Sequence, residues 1–261
     1  MKIFVSLVRF RPWAPSRDIQ NIQPLESPLT QWKILKMPNE KTKEPQYQSQ
    51  LDWRDKHGYS RFGLQSGYTW GNDPRHVLFT LARYKFVAKM FSGLKKVLEV
   101  GCGDGMGAHL VIQEVESLVA VDFDPIYIRD IKNRLKEHNA FDCHTHDILD
   151  GPLDASFDGI YSLDVLEHIA QDSEDLYMQN ISKSLHEQGV FIAGMPSLES
   201  QKYASEGSKA GHVNCKTQTE LKRLGQQYFH NVFAFSMNDE IVHTGYHHMA
   251  HYIFILCCGK R

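Results

Sequence analysis

Glycine occupies every second position from 101 to 107 in the segment VLEVGCGDGMG, directly after a short apolar run. Glycine permits positive φ angles and lets a ligand approach the backbone closely. The N-terminus of a helix that follows such a turn favours negative charge. Gly103, Gly105 and Ala108 also fit the G-x-G-x-x-G/A pattern of dinucleotide sites, although that match is weak by itself. The turn therefore indicates a nucleotide-like ligand and leaves its identity open.

Acidic residues near this turn narrow the choice of ligand. Glu99 lies two residues before the first glycine, where a carboxylate would repel a pyrophosphate and suit an ammonium group. Asp122 ends the next apolar run, about 20 residues further on, where an acid can hold ribose hydroxyls. In HDI, Asp147 can accept a hydrogen bond from an adenine amino group while Ile148 packs against the ring. These positions favour a ligand with an ammonium group, a ribose and an adenine over a dinucleotide.

A second group of reactive side chains follows a later apolar run, in the spacing Asp164-x-x-Glu167-His168. On the opening turn of a helix, positions i, i+3 and i+4 share one face. Two carboxylates and an imidazole, joined by a fourth ligand, could hold a divalent cation such as Mg²⁺. The alternative is that Glu167 and His168 serve only the helix start or the fold.

Two further segments offer polar side chains to an acceptor. The connection MNDEIVHTGYHH contains His243, whose ordinary pKa of about 6.5 suits proton removal at neutral pH. Its alternative role, and that of the neighbouring histidines, is packing or surface exposure. The segment 64–76 combines flat apolar surface with donors, which suits a sugar or a ring, or else packs against the sheet. Its candidate residues are Tyr68, Trp70, Asn72 and Arg75.

Strand and helix patterns alternate through most of the chain. Strands are predicted at 95–100, 118–123, 142–148, 157–165, 189–196, 231–238 and 250–258. Helices are predicted at 73–91, from the glycine turn to about 115, and at 126–138, 173–186 and 217–228. This alternation predicts a mostly parallel sheet with helices on both faces, and one of the last two strands must be antiparallel. Ligands of such sheets bind beyond the carboxyl ends of the strands, so both groups of reactive residues should meet at one mouth.

Residues 1–60 differ in composition from residues 61–261, which form the predicted domain. They are rich in Pro, Gln, Lys and Asp, and residues 38–50 have the composition of a polar linker. We expect a loosely structured N-terminal extension. A lid over the cleft, a contact with a partner subunit and a surface tail all fit this composition.

Composition excludes several other classes of protein. The 261 residues carry a formal net charge of -2, which argues against a broad nucleic-acid-binding surface. The apolar runs are too short to span a bilayer, and arginines interrupt the N-terminal run, so we expect neither a membrane span nor a signal peptide. Five scattered cysteines fit reduced thiols in the cytoplasm.

The motifs E-x-G-x-G-x-G, VDFDP, HDIL and FDGIYSLDVLEHI resemble, in this order, the successive motifs of class I S-adenosylmethionine-dependent methyltransferases. The resemblance covers residues 95–258. It implies a doubly wound, Rossmann-like α/β fold with seven strands, the last one antiparallel, and S-adenosylmethionine as the cofactor. By this resemblance the cofactor-binding residues are Glu99, Gly101, Gly103 and Gly105 around the methionine end, Asp122 and Phe123 at the ribose and adenine, Asp147 and Ile148 at the adenine, and Leu163 near the sulfonium.

The acid-x-x-Glu-His spacing is similar to that of small-RNA 2′-O-methyltransferases and of catechol O-methyltransferases of the ubiquinone pathway. In those enzymes a metal binds neighbouring hydroxyls of the acceptor, and a later histidine completes the RNA enzymes' site. His212 is the counterpart here, so the resemblance implies a metal site of Asp164, Glu167, His168 and His212. Asp164 is shorter than the glutamate of those families, which puts its geometry in doubt.

The motifs HVN and NDE-x-x-HTG are similar to those of methyltransferases of bacterial surface-polysaccharide pathways. We therefore expect O-methylation of a small hydroxylated acceptor: a sugar, a sugar nucleotide or a phosphoryl-type precursor. His243, Asp164 and His168 are the predicted catalytic residues. The alternatives are an RNA or protein methyltransferase, or a cofactor-binding module without turnover, and a homodimer is left open. The lack of an Arg-rich stripe disfavours RNA.

Overall fold

The computed structural model describes residues 40–134 and 140–261. The described residues divide into two units, residues 40–59 and Ser60–Arg261. The predictions for residues 1–39, and for the end of the helix expected at 126–138, lie outside the described residues.

Residues 40–59 contain helical structure that the sequence analysis did not predict. A 3-10 helix, Pro45–Tyr47, leads into helix α1, Gln48–His57. Helix α1 has no buried residues, so it lacks the apolar periodicity from which a helix is recognised in a sequence. Ion pairs hold Arg54 to Glu40 (2.8 Å) and to Asp55 (2.7 Å). The expectation of a loosely structured segment was therefore wrong for residues 48–57.

The second unit is built on one eight-stranded sheet. Its strands are β1 Lys96–Val100, β2 Ser117–Asp122, β3 Asp142–Thr145, β4 Phe157–Leu163, β5 Leu185–Pro196, β6 Phe229–Asn238, β7 Ile241–His243 and β8 Tyr252–Lys260. Their order in the sheet is β3-β2-β1-β4-β5-β8-β6-β7. The first five strands are parallel, and β8 pairs antiparallel with both β5 and β6. The predicted α/β fold is confirmed, and the three-residue strand β7 adds an eighth strand to the seven expected.

Seven α-helices in the described part of this unit precede the first strand or lie between later strands. They are α2 Leu64–Asn72, α3 Pro74–Met90, α4 Ala108–Val111, α5 Pro125–Arg134, α6 Glu174–Ser184, α7 Glu206–Gly211 and α8 Gln218–Tyr228. Helix α4 is much shorter than the predicted helix to about residue 115. The reason is that residues 114–116 pair with the loop before β1: Gly93 N–H donates to Glu114 O (2.8 Å) and Glu116 N–H to Leu94 O (3.0 Å).

Apolar side chains cover both faces of the sheet. Alternate residues of a strand point to opposite faces, so Val97 packs in one core cluster and its neighbour Leu98 in the other. Because both faces are filled, space for a ligand remains at the carboxyl ends of the parallel strands. Within the part of the chain that is described, no helix is long and apolar enough to cross a membrane. All five cysteines are free thiols.

Candidate active site

A cavity of about 930 Å³ lies at the carboxyl ends of β1, β2 and β4. Its volume is within the range of about 300–1,000 Å³ that is typical of small-molecule sites. The wall joins the two groups of residues singled out in the sequence: Gly101, Gly103, Asp122, Phe123, Asp147, Ile148, Leu163, Asp164, Glu167, His168 and His212. The sheet topology therefore brings the expected cofactor end and the expected acceptor end to one mouth.

The glycine turn requires glycine at two of its cavity-lining positions. Gly101 and Gly103 have φ angles of 79° and 52°, which side-chain-bearing residues rarely adopt. A Cβ atom at Gly101 would overlap Val165, and one at Gly103 would overlap Gln65. Gly105 also has a positive φ (70°), but a Cβ atom at this position would point toward Ile131 in the core. Gly105 therefore shapes the turn and does not line the cavity, in contrast to its predicted place at the cofactor.

Asp122 is held in place by the main chain of the turn. One carboxylate oxygen accepts the N–H of Gly103 (2.8 Å), and the other accepts the N–H of Asp124 (2.9 Å). The side chain is buried, and burial raises the pKa of Asp122 above its usual range. Each carboxylate oxygen retains a further lone pair, so the group can also accept hydrogen bonds from a diol.

Flat apolar surface flanks this carboxylate. Phe123 directly follows Asp122, and its ring is 70% exposed although it lines the cavity. Ile148 also lines the cavity and is buried, next to Asp147, whose Oδ1 accepts the N–H of Leu149 (2.9 Å). An exposed ring and an aliphatic side chain in the wall of one cavity suit the flat face of an aromatic ligand.

Glu99 lies beneath the turn instead of in the cavity wall. Its carboxylate accepts the hydroxyls of Tyr84 and Tyr161, each at 2.8 Å, and the residue is 1% exposed. Burial raises the pKa of Glu99 to about 8, against the opposing effect of the two hydroxyls. The predicted contact between Glu99 and an ammonium group is therefore not preformed, because the carboxylate is enclosed in the core and does not line the cavity.

Glu167 is fully buried, yet neither of its carboxylate oxygens has a hydrogen-bond partner among the described residues. Burial, and next the Asp164 carboxylate, raise the pKa of Glu167 well above its usual range. The backbone carbonyl of Glu167 accepts the N–H groups of Val213 (2.8 Å) and Asn214 (3.0 Å). These two bonds bring the loop after α7, with His212, to the carboxylate.

His168 and His212 each keep an unprotonated ring nitrogen. The Nδ1 of His168 bonds to Gly211 O (2.9 Å), and the Nδ1 of His212 bonds to Gln201 Oε1 (2.9 Å). Both partners are acceptors, so Nδ1 carries the proton and Nε2 keeps its lone pair in each neutral ring. One ligand atom from each of Glu167, His168 and His212 lies within 4.8 Å of the other two. Such a set can hold a cation or accept a proton.

Asp164 departs from its predicted role as a fourth ligand. Its φ angle is 57°, and the 3-10 helix that follows begins only at Leu166, so Asp164 does not share a helical face with Glu167. Its Oδ2 instead pairs with Arg83 Nη1 at 2.7 Å. Arg83 in turn lies 4.0 Å from the centre of the Tyr252 ring. Asp164 lines the cavity, but its carboxylate is engaged in a partly buried ion pair with Arg83.

His243 is not in the cavity wall, in contrast to its predicted role as the general base. The N–H of Gly245 donates to its Nδ1 (3.0 Å), so Nε2 carries the proton and donates to Asn238 Oδ1 (2.8 Å). No lone pair remains for a substrate proton. His243 thus stabilises the hairpin of β6 and β7 through these two hydrogen bonds.

A family model described as a methyltransferase domain matches residues 97–189, from β1 to the start of β5. This segment contains the glycine turn, Asp122, Asp147 and Glu167. The matched segment and the fold are those of a methyltransferase domain.

Relatives of the methyltransferase domain are distant. A probable S-adenosylmethionine-dependent methyltransferase from Mycolicibacterium smegmatis is 27% identical over 115 residues, which are 44% of this chain and 42% of the relative. The chain thus spans less than half the length of this curated relative. Its name does not refer to a surface-polysaccharide pathway, so that pathway stays a prediction.

Solved structures share the fold at low sequence identity. The N-methyltransferase NodS from Bradyrhizobium japonicum, in complex with S-adenosyl-L-homocysteine, aligns with a TM-score of 0.54 and 16% identity over 74% of this chain and 92% of its own. The methyltransferase domain of bacterial CtHen1 aligns with a TM-score of 0.58 and 15% identity over 69% of this chain and 98% of its own. At these identities the likeness concerns the fold.

Helices α2 and α3 reach the cavity through residues that were not singled out in the sequence. Gln65, Thr69 and His76 line it, whereas the predicted wall residues Tyr68 and Trp70 are 73% and 52% exposed and lie outside it. The predicted segment therefore does reach the cavity, but it does so through a different face of helix α2 from the one that carries Tyr68 and Trp70. Only a helix assignment for residues 64–72 could have revealed which face is turned to the cavity.

Proposed function

We propose that this domain transfers the methyl group of S-adenosylmethionine to a hydroxyl of a small acceptor, such as a sugar, a sugar nucleotide or a phosphoryl-type glycan precursor. We further propose that Glu167, His168 and His212 hold a divalent cation that binds the acceptor oxygen. The observation that carries the proposal is the buried Glu167 carboxylate, which has no hydrogen-bond partner among the described residues and lies beside two imidazoles that each keep an unprotonated nitrogen.

The residues at the glycine end fit S-adenosylmethionine. Asp122 is oriented to accept from the ribose hydroxyls, and the exposed ring of Phe123 would be covered by the adenine. Asp147 would accept from the adenine amino group. When bound, the cofactor supplies a methyl group on a sulfonium, which a well-placed acceptor oxygen can attack directly. The glycine turn and these side chains therefore have one main task, which is to orient the cofactor toward Leu163 and the acceptor end.

The donor set at the acceptor end fits a cation, but it favours a different ion from the one expected. Two of its three donors are imidazoles, which favour transition-metal ions over the predicted Mg²⁺. Both imidazoles donate their other N–H to an oxygen, the arrangement that orients histidine ligands in metal sites. With three protein ligands, coordination positions stay open for two neighbouring acceptor oxygens. The chemistry that a cation supplies there is a lower pKa of the bound hydroxyl.

A cation-free variant of the same reaction would use His168 as the base. His168 lines the cavity and keeps a lone pair on Nε2, whereas both nitrogens of His243 are occupied. In this cation-free reaction, Gly211 O stabilises the imidazolium that forms on His168, because it accepts a hydrogen bond from Nδ1–H.

The deciding experiment uses the full chain with methyl-labelled S-adenosylmethionine and an extract of small metabolites, with and without a chelator, read by mass spectrometry. We expect a labelled hydroxylated product that disappears with the chelator and returns with one of Mn²⁺, Zn²⁺, Co²⁺ or Mg²⁺. A product that still forms in the presence of the chelator would contradict the cation site. It would indicate that His168 removes the proton of the acceptor hydroxyl. If no small molecule is labelled, RNA and protein acceptors, or a module without turnover, replace this proposal.

Glu167→Gln tests the cluster directly. We expect turnover to fall by about 100-fold or more, because the variant removes the anionic ligand, while the dissociation constant for S-adenosylmethionine changes less than about twofold. Glu116→Gln is the matched control, since Glu116 is exposed and remote from the cavity wall. Equal losses of turnover and cofactor affinity, or no loss of either, would contradict the role of Glu167.

A further inference from the structure

A second cluster of metal-ligating side chains lies where the segment after β5 meets the segment before β8. Glu199 belongs to a 3-10 helix, Leu198–Tyr203, and His247 and His248 belong to another, His247–Met249. One ligand atom from each of the three side chains lies within 4.8 Å of the other two. None of the three lines the large cavity, so this cluster is separate from the candidate active site.

The two segments are held together independently of these side chains. Ser197 N–H donates to His251 O (3.0 Å), and the Ser197 hydroxyl donates to Ala250 O (2.6 Å). Ser197 is fully buried and directly follows the last residue of β5, which pairs with the first residue of β8. The backbone therefore fixes the distance between Glu199 and the histidine pair, and the three side chains do not have to create their own contact.

The hydrogen bonds of the cluster are incomplete. The Nδ1 of His248 lies 3.1 Å from Glu199 Oε1, which an ordinary ion pair would explain. The other carboxylate oxygen of Glu199 and the Nδ1 of His247 are buried and have no hydrogen-bond partner among the described residues. Buried polar atoms are rarely left in this state. These two atoms lie beside the His248–Glu199 pair. Because both lack a partner, we infer that the cluster binds a further group.

We propose that Glu199, His247 and His248 form a Zn²⁺ site that fastens the segment after β5 to the segment before β8. Two imidazoles and one carboxylate are a donor set that Zn²⁺ uses, with water in the fourth position. Oxygen-preferring cations such as Mg²⁺ are disfavoured by the two nitrogen donors. The ion replaces the proton between His248 and Glu199 and gives the buried Glu199 oxygen a partner.

The site has a structural consequence for the large cavity. The 3-10 helix that carries Glu199 also carries Gln201, whose Oε1 accepts a hydrogen bond from Nδ1–H of His212. A cation at Glu199 would therefore restrain the segment that orients His212, although it does not touch the cavity. The zinc site itself does not depend on the proposed methyl transfer.

Zinc titration of untagged full-length protein tests the site. All variants are made in a His212→Ala background, which removes a ligand of the other cluster. After treatment with a chelator, Zn²⁺ is added in competition with a chromophoric dye, and bound zinc is counted by elemental analysis. The variants are Glu199→Gln and His248→Ala, and the matched control is His230→Ala, an exposed histidine outside both clusters.

We expect the background protein and the His230→Ala control to bind one equivalent of Zn²⁺. Glu199→Gln and His248→Ala should weaken this binding by at least tenfold, and zinc should raise the melting temperature only where it binds. Excess Mg²⁺ should not displace the zinc. The site is refuted if the His212→Ala protein binds no zinc, if both cluster variants keep its affinity, or if His230→Ala loses as much. Circular dichroism of each variant separates a lost ligand from a lost fold.

Discussion

Asp122 is a buried carboxylate in the wall of the cavity. Its position at the end of a strand and its spacing from the glycines were visible in the sequence. The structure adds that two backbone N–H groups, from Gly103 and Asp124, already hold the carboxylate. A side chain oriented in this way loses little conformational entropy when a ligand binds, so its hydrogen bonds contribute fully to affinity.

Asp122→Ala should weaken the binding of S-adenosylmethionine by about 1–3 kcal/mol, the cost of leaving hydrogen-bonding groups of a buried site without their charged partner. Isothermal titration calorimetry measures this change. Asp142→Ala is the matched control, because Asp142 is an exposed carboxylate on the neighbouring strand β3. If the Asp122 variant binds with the affinity of the unchanged protein, Asp122 does not contact the cofactor.

Other residue roles could not be predicted because they depend on which hydrogen-bond partners each side chain meets in the folded protein. Asp164 and His243 have suitable chemistry and lie in the expected loops. Arg83, 81 residues away, occupies the Asp164 carboxylate, and Asn238 and Gly245 occupy both nitrogens of His243. Residue type and spacing identify candidate groups. They do not show which lone pairs remain free.

Helix α2 shows the corresponding limit at the scale of an element. Its anchor is polar: the backbone N–H and the hydroxyl of Ser66 both donate to Asp104 Oδ2, at 2.6 Å and 2.7 Å. The Ser66 hydroxyl also accepts the N–H of Gly63 at the helix start (2.9 Å). The longer strands and α3 were predictable from apolar periodicity. Helix α2 was not, because its main contact joins it to an acid of the glycine turn 38 residues later in the chain.

Ser66→Ala should lower the free energy of unfolding by about 1–3 kcal/mol, because the buried Asp104 oxygen and the Gly63 N–H each lose a partner. Urea denaturation measures the loss. Thr69→Ala is the matched control on the same helix. The Thr69 hydroxyl donates only to Gln65 O within α2 and is exposed, so its removal should change stability by less than about 0.5 kcal/mol. Equal effects of the two substitutions would show that Asp104 does not anchor the helix.

At the scale of the whole molecule, the alternation of strands and helices was enough to predict the parallel sheet, its antiparallel strand and the position of the cavity. Connectivity determines these features, and each long strand carries its own apolar signal. Strand β7 has only three residues, none of them buried, and gave no such signal. Glu99 was assigned to the ligand because the sequence cannot distinguish an acid that faces a cavity from one that the core encloses.

The buried Glu99 predicts how the stability of the whole domain depends on pH. Its pKa in the folded protein is raised to about 8 by burial, from an ordinary value of 4.5. A raised pKa means that folding favours the protonated form. This contribution is complete below about pH 4.5 and is lost as the pH rises through about 8. Between these values, the free energy of unfolding should fall by up to about 1.4 kcal/mol per pH unit because of Glu99.

Glu99→Gln removes this titration, since the amide stays neutral at every pH. Urea denaturation at pH 5, 6, 7 and 8 should therefore show the unchanged protein losing stability relative to Glu99→Gln as the pH rises. The exposed variant Glu116→Gln should follow the unchanged protein, and Asp122 titrates in all three proteins, so its contribution cancels in the comparison. A constant difference from pH 5 to pH 8 would mean that Glu99 is ionised in the folded protein. In that case, the hydroxyls of Tyr84 and Tyr161 would outweigh burial, and Glu99 would be a charged partner for an ammonium group after all.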